Sequence, residues 1–217
     1  MKFENTDVYN FKNAIRGMRL PMNSNDKSDS QITMLQGYEV DYIIGNNDLD
    51  LMQRLIKAGS PHDKFMRQIF VSVDITAPLF FWKEMDQYKV GTTTNSQSTM
   101  HKLATTPITI DCFETDDYEQ ITFGVGEIQS PQIIIDYCEK LRQKYLETKD
   151  KKYWKELVRW LPESWLQTRT WTANYEVLRN IAHQRQGHKL TEWQSFIDWV
   201  KTLPYANELI FYEGEKE

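Results

Sequence analysis

The sequence predicts an α+β fold in one domain that covers residues 1–217. Two observations point to this class. Apolar residues recur at helical spacing in several long segments, whereas a few short segments are β-branched or alternate like strands. Helices and strands do not alternate regularly along the chain, which argues against a parallel α/β architecture. A chain of 217 residues is long enough to bury one substantial core.

The first quarter of the chain carries two predicted helices and a polar loop. The second helix would be capped by Asn47 or Asp48 and would end at Gly59, because short polar side chains favour helix starts and glycine favours helix ends. The loop between the helices is rich in Ser, Asn and Asp, which favours exposed turns. The predicted segments are a helix at 7–19, the loop at 21–31 and a helix at 47–59.

The middle of the chain predicts a strand followed by a helix. The segment 64–75, "KFMRQIFVSVDI", becomes alternating and β-branched towards its end. Thr76 and Pro78 fit the first turn of a helix that runs from Leu79 to about Tyr88, since proline lacks only an N–H that a first turn leaves unbonded. Gly91 would stop this helix. Two further short strands are expected at 107–114 and 120–126.

The C-terminal part is strongly helical. Its apolar residues recur at three- and four-residue intervals, and Pro162 closes the second of the helical segments. The predicted helices cover 130–149, 150–162, 173–190 and 191–204, and the tail 212–217 is expected to fray.

Charge and composition limit the classes of partner. The net charge of −5 argues against a broad surface for nucleic acid. No apolar run approaches the roughly 20 residues that span a bilayer, and the first residues lack a signal-peptide core, so no membrane partner is expected. Cys112 and Cys138 indicate reduced thiols rather than a disulfide framework. These observations together predict a cytoplasmic protein.

Common catalytic and metal-binding motifs are missing from the sequence. It contains no Walker loop, no G-x-G-x-x-G and no G-x-S-x-G. His183 and His188 are five residues apart, which places them on different faces of a helix and excludes a zinc pair at i, i+4. No metal site is therefore predicted.

Three clusters of polar residues remain as candidates, each with a plain structural alternative. His62 in "GSPHDKF" is either a ligand-binding or a surface-loop histidine. The second cluster is either a site or a solvated basic face; it combines Asn174 and Asn180 with Arg159, Arg169, Arg179 and Arg185. The third, which we call the Thr/Ser segment, is residues 92–99, "TTTNSQST", and is either a loop or a cradle for a polar ligand.

Taken in order, these clusters resemble one known family. "PHDKFMRQIFVSVDITAP" places a histidine before a strand and Ala-Pro before a helix, and "QYKVGTTTNSQSTMH" aligns, with one inserted residue, to the motif R-H-R-x-x-S-x-N-E-x-S-x-R. Arg159, Leu161–Pro162, Asn174, Asn180 and Arg185 then follow in the order R-x-x-L-P, Asn, Asn, Arg. This arrangement is similar to that of the flavin-dependent thymidylate synthases, which methylate dUMP with FAD and a folate.

The resemblance has clear departures, and the signature is rewritten with other polar residues. Thr92, Asn95 and Ser98 fit its Ser, Asn and Ser positions. The departures are Gln87, Tyr88 and Lys89 for Arg-His-Arg, Ser96 for the Glu, Met100 for the last Arg, which in the family grips the nucleotide, and Glu176 for the Arg after the first C-terminal Asn.

The resemblance implies a mixed or antiparallel sheet packed with helices, a homotetramer, and NADPH and methylenetetrahydrofolate as co-substrates beside FAD. It implies substrate activation by Arg185 and Lys89. The implied FAD-binding residues are His62, Lys89, Asn95, Asn174 and Asn180, and the implied substrate-binding residues are Gln87, Gln97, Ser98, Arg159 and Arg185.

Three functions stay open from the sequence. The first is an enzyme that methylates dUMP to dTMP. The second, which the rewritten signature suggests, is a related one-carbon transferase that acts on another pyrimidine nucleotide. The third is a non-catalytic protein that binds a nucleotide or a flavin on the same scaffold.

Overall fold

The computed structural model describes residues 1–35, 38–115 and 130–214. The strands are β1 (Lys2–Tyr9), β2 (Gln31–Leu35), β3 (Tyr38–Ile43), β4 (Phe70–Pro78), β5 (Thr93–Ser96) and β6 (Leu166–Asn174). The helices are α1 (Phe11–Arg19), α2 (Asn46–Ala58), α3 (Leu79–Met85), α4 (Thr99–Lys102), α5 (Ser130–Thr148), α6 (Lys151–Trp160), α7 (Tyr175–Arg185) and α8 (Thr191–Lys201). Within these described ranges, none of the helices has the length and apolar character needed to cross a bilayer.

The strands within the described ranges form one four-stranded sheet and one two-stranded sheet. The larger sheet has the order β1-β4-β6-β5. Strands β2 and β3 pair antiparallel from Gln31 opposite Ile43 to Leu35 opposite Tyr38, with an irregularity after Thr33. The predicted class, α+β with an antiparallel sheet packed with helices, is confirmed. The predicted extent of one domain, residues 1–217, stays a prediction.

Contacts between residues divide the chain into two compact units. The first unit comprises Met1–Lys2, Asp74–Gln87 and Asn95–Thr170. The α5–α6 hairpin supplies much of its core, which also includes Phe113 in edge-to-face contact with Trp165. The buried cluster consists of Leu103, Ile108, Phe113, Ile135, Cys138, Leu141 and Leu157.

The second unit comprises Phe3–Val73, Tyr88–Thr94 and Trp171–Glu217. Its core is rich in aromatic side chains that pack edge to face, an arrangement that aromatic quadrupoles favour. Tyr175 is fully buried against Phe11, and its hydroxyl donates a hydrogen bond to the Pro204 carbonyl. Trp193 and Phe196 of α8 pack on each other in the same way. The core therefore fixes α7 and α8 within this unit.

A buried ion pair anchors the polar loop of the second unit. Asp48 is fully buried and accepts hydrogen bonds from Arg19 and from the Ser28 and Ser30 hydroxyls. Burial alone raises the pKa of Asp48, but the bonds from Ser30, Ser28 and Arg19 outweigh it and lower the pKa overall. The residues of the loop are mostly exposed, as predicted, yet this carboxylate holds the end of the loop against α2.

Several predicted boundaries were wrong. Neither Asn47 nor Asp48 caps α2: Gly45 precedes the helix, and the Asp48 side chain turns inwards to Arg19. The predicted strand at 64–75 begins as a 3₁₀ turn, Lys64–Gln68, before β4. Residues 7–9 belong to β1 rather than to the first helix. Helix α3 ends at Met85, short of Tyr88, and starts after Pro78 rather than including it.

Predictions also failed where the apolar pattern is weak: some strands were missed, and one expected strand was wrong. Strands β1, β2, β3, β5 and β6 were not predicted. The expected strand at 107–114 holds a 3₁₀ turn, Ile110–Cys112, and a single bridge from Phe113 to Trp165. The expected strand at 120–126 lies outside the described residues. By contrast, α5, α6, α7 and α8 lie within the predicted helical segments.

Candidate functional site

Arg185 lies at the end of α7 inside a polar and aromatic cage. Its Nε donates to the Tyr88 hydroxyl across 2.9 Å, and its Nη1 lies 3.2 Å from His188 Nε2. The guanidinium carbon stands 4.5 Å from the centre of a Trp193 ring, within the range of a cation–π contact. Gly187, at φ +73°, turns the chain so that His188 can meet Arg185. The guanidinium is thus held in a defined plane within the second unit.

Tyr88 connects this arginine to the start of the Thr/Ser segment. The Tyr88 hydroxyl donates to Gln184 Oε1 across 3.1 Å, while the Tyr88 carbonyl accepts a 2.6 Å hydrogen bond from the Thr92 hydroxyl. The first residues of the Thr/Ser segment therefore attach, through Tyr88, to the C-terminal turn of α7. From the sequence, Tyr88 was noted only as a departure from the signature, and its contact with Arg185 was not predicted.

Asn174 is the N-cap residue of α7. It is buried, ends β6, and its Oδ1 accepts the Val177 N–H across 3.0 Å, an N-cap bond that satisfies an otherwise unpaired donor. Gly91 approaches this cap closely: at φ +76°, a Cβ placed on it would lie 3.0 Å from Asn174 Nδ2 and 3.1 Å from Val177 Cγ2. A side chain at position 91 would therefore push on the helix start.

A cavity of about 460 Å³ lies along the same helix, and we call it the α7 cavity. Its described lining residues all belong to the second unit: Val90, Glu176, Val177, Arg179, Asn180 and His183. Glu176 forms a two-pronged ion pair with Arg67, with Nη2 and Oε1 2.8 Å apart. The Arg179 Nη1 donates to the Leu209 and Ile210 carbonyls.

The chemistry of the α7 cavity fits part of an FAD molecule. Val90 and Val177 offer apolar surface for a ring face, and Asn180 offers a carboxamide for the amide-like edge of an isoalloxazine ring. Burial, with a further contribution from Arg179, lowers the pKa of His183, so its neutral imidazole offers one N–H donor and one nitrogen acceptor. The donor set and the apolar wall together suit a flat heterocycle.

A second cavity, of about 420 Å³, lies in the first unit beside α4, and we call it the Thr/Ser cavity. Gln97, Ser98 and Thr99 line it, and the Ser98 hydroxyl oxygen caps α4 by accepting the His101 N–H across 3.3 Å. Its other described lining residues include Thr76, Lys102, Leu103, Asp111, Cys112, Glu114, Trp165, Leu166 and Gln167. Two of the predicted substrate-binding residues, Gln97 and Ser98, thus share one concave surface.

The remaining predicted site residues lie outside the described linings of these two cavities. The His62 side chain is exposed in a turn, and the backbone N–H of His62 donates to the Gly59 carbonyl across 2.7 Å. Arg159 is exposed on α6 and pairs with Glu156 at 3.6 Å. Gln87, Lys89 and Asn95 are also exposed.

Two arginines of the predicted basic cluster serve internal contacts. Arg169 pairs with Asp86 at 2.8 Å and lies over the Trp82 ring, and Arg179 bonds two backbone carbonyls. Composition could not separate them from Arg185, because the contacts of each arginine with residues distant in sequence cannot be read from its neighbours in the chain. Among the residues that the structure describes, no group of His, Cys, Asp and Glu forms a metal site, and Cys112 and Cys138 are free thiols.

The comparisons with known proteins match the fold. No protein-family model and no curated protein sequence match this chain. A structure of the flavin-dependent thymidylate synthase ThyX from Helicobacter pylori, complexed with FAD and dUMP, superposes with a TM-score of 0.68 at 17% identity and covers 100% of both chains. Another structure of ThyX from Helicobacter pylori with FAD and dUMP gives a TM-score of 0.66 at 17% identity, covering 96% of this chain and 97% of that chain. This chain therefore has the fold of the flavin-dependent thymidylate synthases.

Proposed function

We propose that this protein is an FAD-dependent enzyme that reductively methylates dUMP to dTMP with methylenetetrahydrofolate as the carbon donor. The whole-chain likeness to ThyX with FAD and dUMP carries the proposal, because it extends over 100% of both chains rather than over one motif. The predicted polar residues that line cavities support it further: Asn180 in the α7 cavity, and Gln97 and Ser98 in the Thr/Ser cavity.

The α7 cavity would hold part of the FAD. Asn180 and His183 would bond the polar edge of its ring system, and Asn174 would keep the start of α7 in place through its cap to Val177. His62, Lys89 and Asn95 are proposed as further FAD contacts from the resemblance. When bound and reduced, FAD would supply hydride to the pyrimidine, and NADPH would restore the reduced state.

Arg185 would bind and polarise the nucleotide. Its guanidinium is oriented by the Tyr88 hydroxyl and the Trp193 ring, so little rotamer freedom is left to lose on binding. A fixed guanidinium presents parallel N–H donors that suit a phosphate or a uracil carbonyl. Lys89 would add charge to the same activation, while Gln87, Gln97, Ser98 and Arg159 would contact substrate.

The proposal includes a homotetramer in the cytoplasm. Several proposed ligand contacts are exposed, among them Arg159 on α6 and His62 in its turn, and subunits that share sites would bring such residues to a ligand. Light scattering should then give four times the mass of the chain at micromolar concentration. A monomer under those conditions would count against shared sites.

One observation favours altered chemistry as the second candidate. In place of the family's Arg, Glu176 stands in the α7 cavity and binds Arg67 at two points, with one N–O distance of 2.8 Å. The pair is neutral overall, whereas the family's guanidinium is cationic, so the electrostatic support for the cofactor and the ring differs. A one-carbon transferase that uses another pyrimidine nucleotide is consistent with this change.

The decisive assay follows nucleotide conversion. Purified protein supplied with dUMP, methylenetetrahydrofolate, FAD and NADPH should form dTMP, detected by chromatography, and should rescue a thymidine-requiring bacterium. Turnover of another pyrimidine nucleotide without dTMP formation would favour the second candidate. Flavin binding without conversion of any pyrimidine nucleotide would contradict both proposed enzyme activities and would favour a non-catalytic binding protein.

A further inference from the structure

The α5–α6 hairpin carries a charge opposite to that of the rest of the chain. Residues 140–155, from the middle of α5 to the middle of α6, contain seven Lys or Arg and two Asp or Glu, a net charge of +5. The whole chain carries −5, so the remaining residues together carry −10. The net charge therefore hides a local basic surface, which lies in the first unit and outside the described linings of both cavities.

Six lysines of this segment are exposed because the two helices turn their apolar sides inwards. Leu141 of α5 and Leu157 of α6 are buried in the core cluster of the first unit. Lys151 and Lys155 lie one helical turn apart on α6, about 6 Å along its axis. We call the exposed set the basic hairpin face; it consists of Lys140, Lys144, Lys149, Lys151, Lys152 and Lys155.

The lysines of the two helices converge around Tyr153. The Lys144 ammonium of α5 lies 5.5 Å from the centre of the Tyr153 ring, and the Lys152 ammonium of α6 lies 4.8 Å from the same centre. These distances are typical of cation–π contacts. The basic hairpin face is therefore one surface that both helices share.

Carboxylates neutralise little of this charge. Asp150 pairs with Lys152, with Oδ2 and Nζ 3.0 Å apart, and its Oδ1 caps α6 by accepting the backbone N–H of Lys152. Glu139 pairs with Arg142, which is buried and not part of the face. The other five lysines of the face have no carboxylate at ion-pair distance among the residues that the structure describes. Their ammonium groups can therefore bind an external anion.

The surroundings of the lysines favour one class of anionic partner. Protein interfaces are anchored by apolar side chains in buried pockets, and a helix that lies on a membrane needs a free apolar side. Within residues 140–155, all of which the structure describes, Leu146 is the one large apolar side chain that is exposed. A nucleic-acid backbone needs no such anchor, because lysine and arginine charges that displace its counterions drive the binding.

We propose that the basic hairpin face binds the phosphate backbone of a nucleic acid without sequence preference. Its cations are all lysines, which bind phosphate as point charges, whereas bases are typically read by the planar fork of arginine or by amides. The Tyr153 ring is half-buried and already faces two ammonium groups, so it offers little surface for base stacking. The inference is independent of the proposed function, which assigns none of these lysines to a ligand.

Fluorescence anisotropy of labelled oligonucleotides tests the proposal on the full-length protein. The probes are a single-stranded RNA, a single-stranded DNA of the same sequence and the corresponding DNA duplex. We expect all three to bind with an apparent Kd of about 1–100 µM, and the logarithm of the affinity to fall linearly with the logarithm of the salt concentration. A shuffled sequence of the same composition should bind equally well.

Paired substitutions locate the binding surface. Lys151→Gln/Lys155→Gln should weaken binding about tenfold and should lower the slope of the salt dependence by roughly 1.4 for a single strand and roughly 1.8 for a duplex, since each lost phosphate contact contributes about 0.7 or 0.9. Lys151→Arg/Lys155→Arg should keep the affinity. Lys27→Gln/Lys64→Gln, which removes two exposed lysines of the second unit, is the matched control and should bind like the unaltered protein.

Urea unfolding should give the same midpoint for Lys151→Gln/Lys155→Gln as for the unaltered protein, because both lysines are exposed. If the midpoint falls, Lys140→Gln/Lys144→Gln on α5 tests the same face. No anisotropy change at about 100 µM protein, or an equal loss of affinity in the control variant, would overturn the proposal. Poly-glutamate or phosphatidylserine vesicles that displace the RNA as well as unlabelled RNA does, at equal charge, would also overturn it, because the face would then serve an acidic protein or a membrane. Oligonucleotide binding is measured separately from FAD uptake, so the failure of one leaves the other unaffected.

Discussion

Arg185 and Tyr88 are joined by a 2.9 Å hydrogen bond from the guanidinium Nε to the phenol oxygen. The Tyr88 hydroxyl in turn donates a hydrogen bond to Gln184 Oε1 across 3.1 Å, so one hydroxyl links two residues of α7. Tyr88 stands where the signature that the sequence resembles has a His. The residue at this position is therefore polar and hydrogen-bonds the arginine that we propose to bind substrate.

Replacing Tyr88 by Phe tests this link. Tyr88→Phe removes both hydroxyl bonds but keeps the ring beside Trp193, so the fold should persist. We expect dUMP affinity to fall roughly five- to tenfold, corresponding to about 1 kcal/mol for one lost orienting hydrogen bond. Titration calorimetry measures the change. Tyr9→Phe, the same chemical change at an exposed residue of β1, is the control, and equal dUMP affinity in both variants would contradict the link.

The buried carboxylate of Asp48 should matter for stability far more than a surface one. Asp48→Asn leaves the buried Arg19 without its counter-charge, which typically costs about 3–5 kcal/mol. Asp50→Asn, on the same helix, breaks an exposed pair with Arg54 and should cost less than about 0.5 kcal/mol. Urea unfolding of the two variants measures the difference. Equal free energies of unfolding would show that the Asp48 network does not stabilise the fold.

Acid should weaken the first unit through Glu139. Hydrogen bonds from Arg142, together with others from the Ile108 N–H and Gln143, lower the pKa of Glu139 from 4.5 to about 2. Because the pKa is depressed in the folded state, this contribution is present above pH 4.5 and is lost as the pH falls towards 2. The unaltered protein should exceed Glu139→Gln in unfolding free energy near pH 7, by on the order of 2 kcal/mol, and the gap should close near pH 2. A gap that stays constant over this range would contradict the assignment.

Replacing Gly91 by alanine should lower the free energy of unfolding, and the same change at Gly187 serves as the matched control. Gly91 and Gly187 both have positive φ, +76° and +73°, so alanine at either site pays about 1 kcal/mol of backbone strain. Only at Gly91 would the new Cβ press on Asn174, whereas nothing lies within 4 Å at Gly187. Gly91→Ala should therefore lose about 1–2 kcal/mol more in urea unfolding and should take up less FAD. Equal losses of unfolding free energy in the two variants would show that the start of α7 moves to accommodate the new Cβ at no cost.

The helices could be predicted from sequence because their apolar faces are regular. Helices α5 to α8 each bury one side, and the pattern of Trp193, Phe196, Ile197 and Val200 on α8 is visible in the letters alone. Strand β6 could not be found this way. Its residues Gln167, Thr168, Arg169 and Thr170 are polar because their side chains bond other elements, as Thr168 does to Thr76 across 2.7 Å. Strands whose polar groups are satisfied by distant partners carry no local apolar signal.

A few residues that line the two cavities had been singled out from the sequence, but their contacts had not been. Asn174, Gln97 and Ser98 were singled out by the resemblance; Asn174 caps α7, and Gln97 and Ser98 lie on a cavity wall. The contacts of Arg185 with Tyr88 and His188 do not, since residues 88 and 185 are 97 positions apart and each has many possible partners. Lys102 and Gln167 were also missed, because nothing in the sequence around them marks either residue as one that lines a cavity.

Flavin binding tests the central claim most directly. The purified protein, or the protein after incubation with FAD and gel filtration, should show the visible absorption bands of bound flavin, and added dUMP should perturb those bands in a saturable way. Arg185→Ala should keep the bound flavin and lose the dUMP response. A colourless protein that retains no added FAD, or a dUMP response unchanged in Arg185→Ala, would contradict the account.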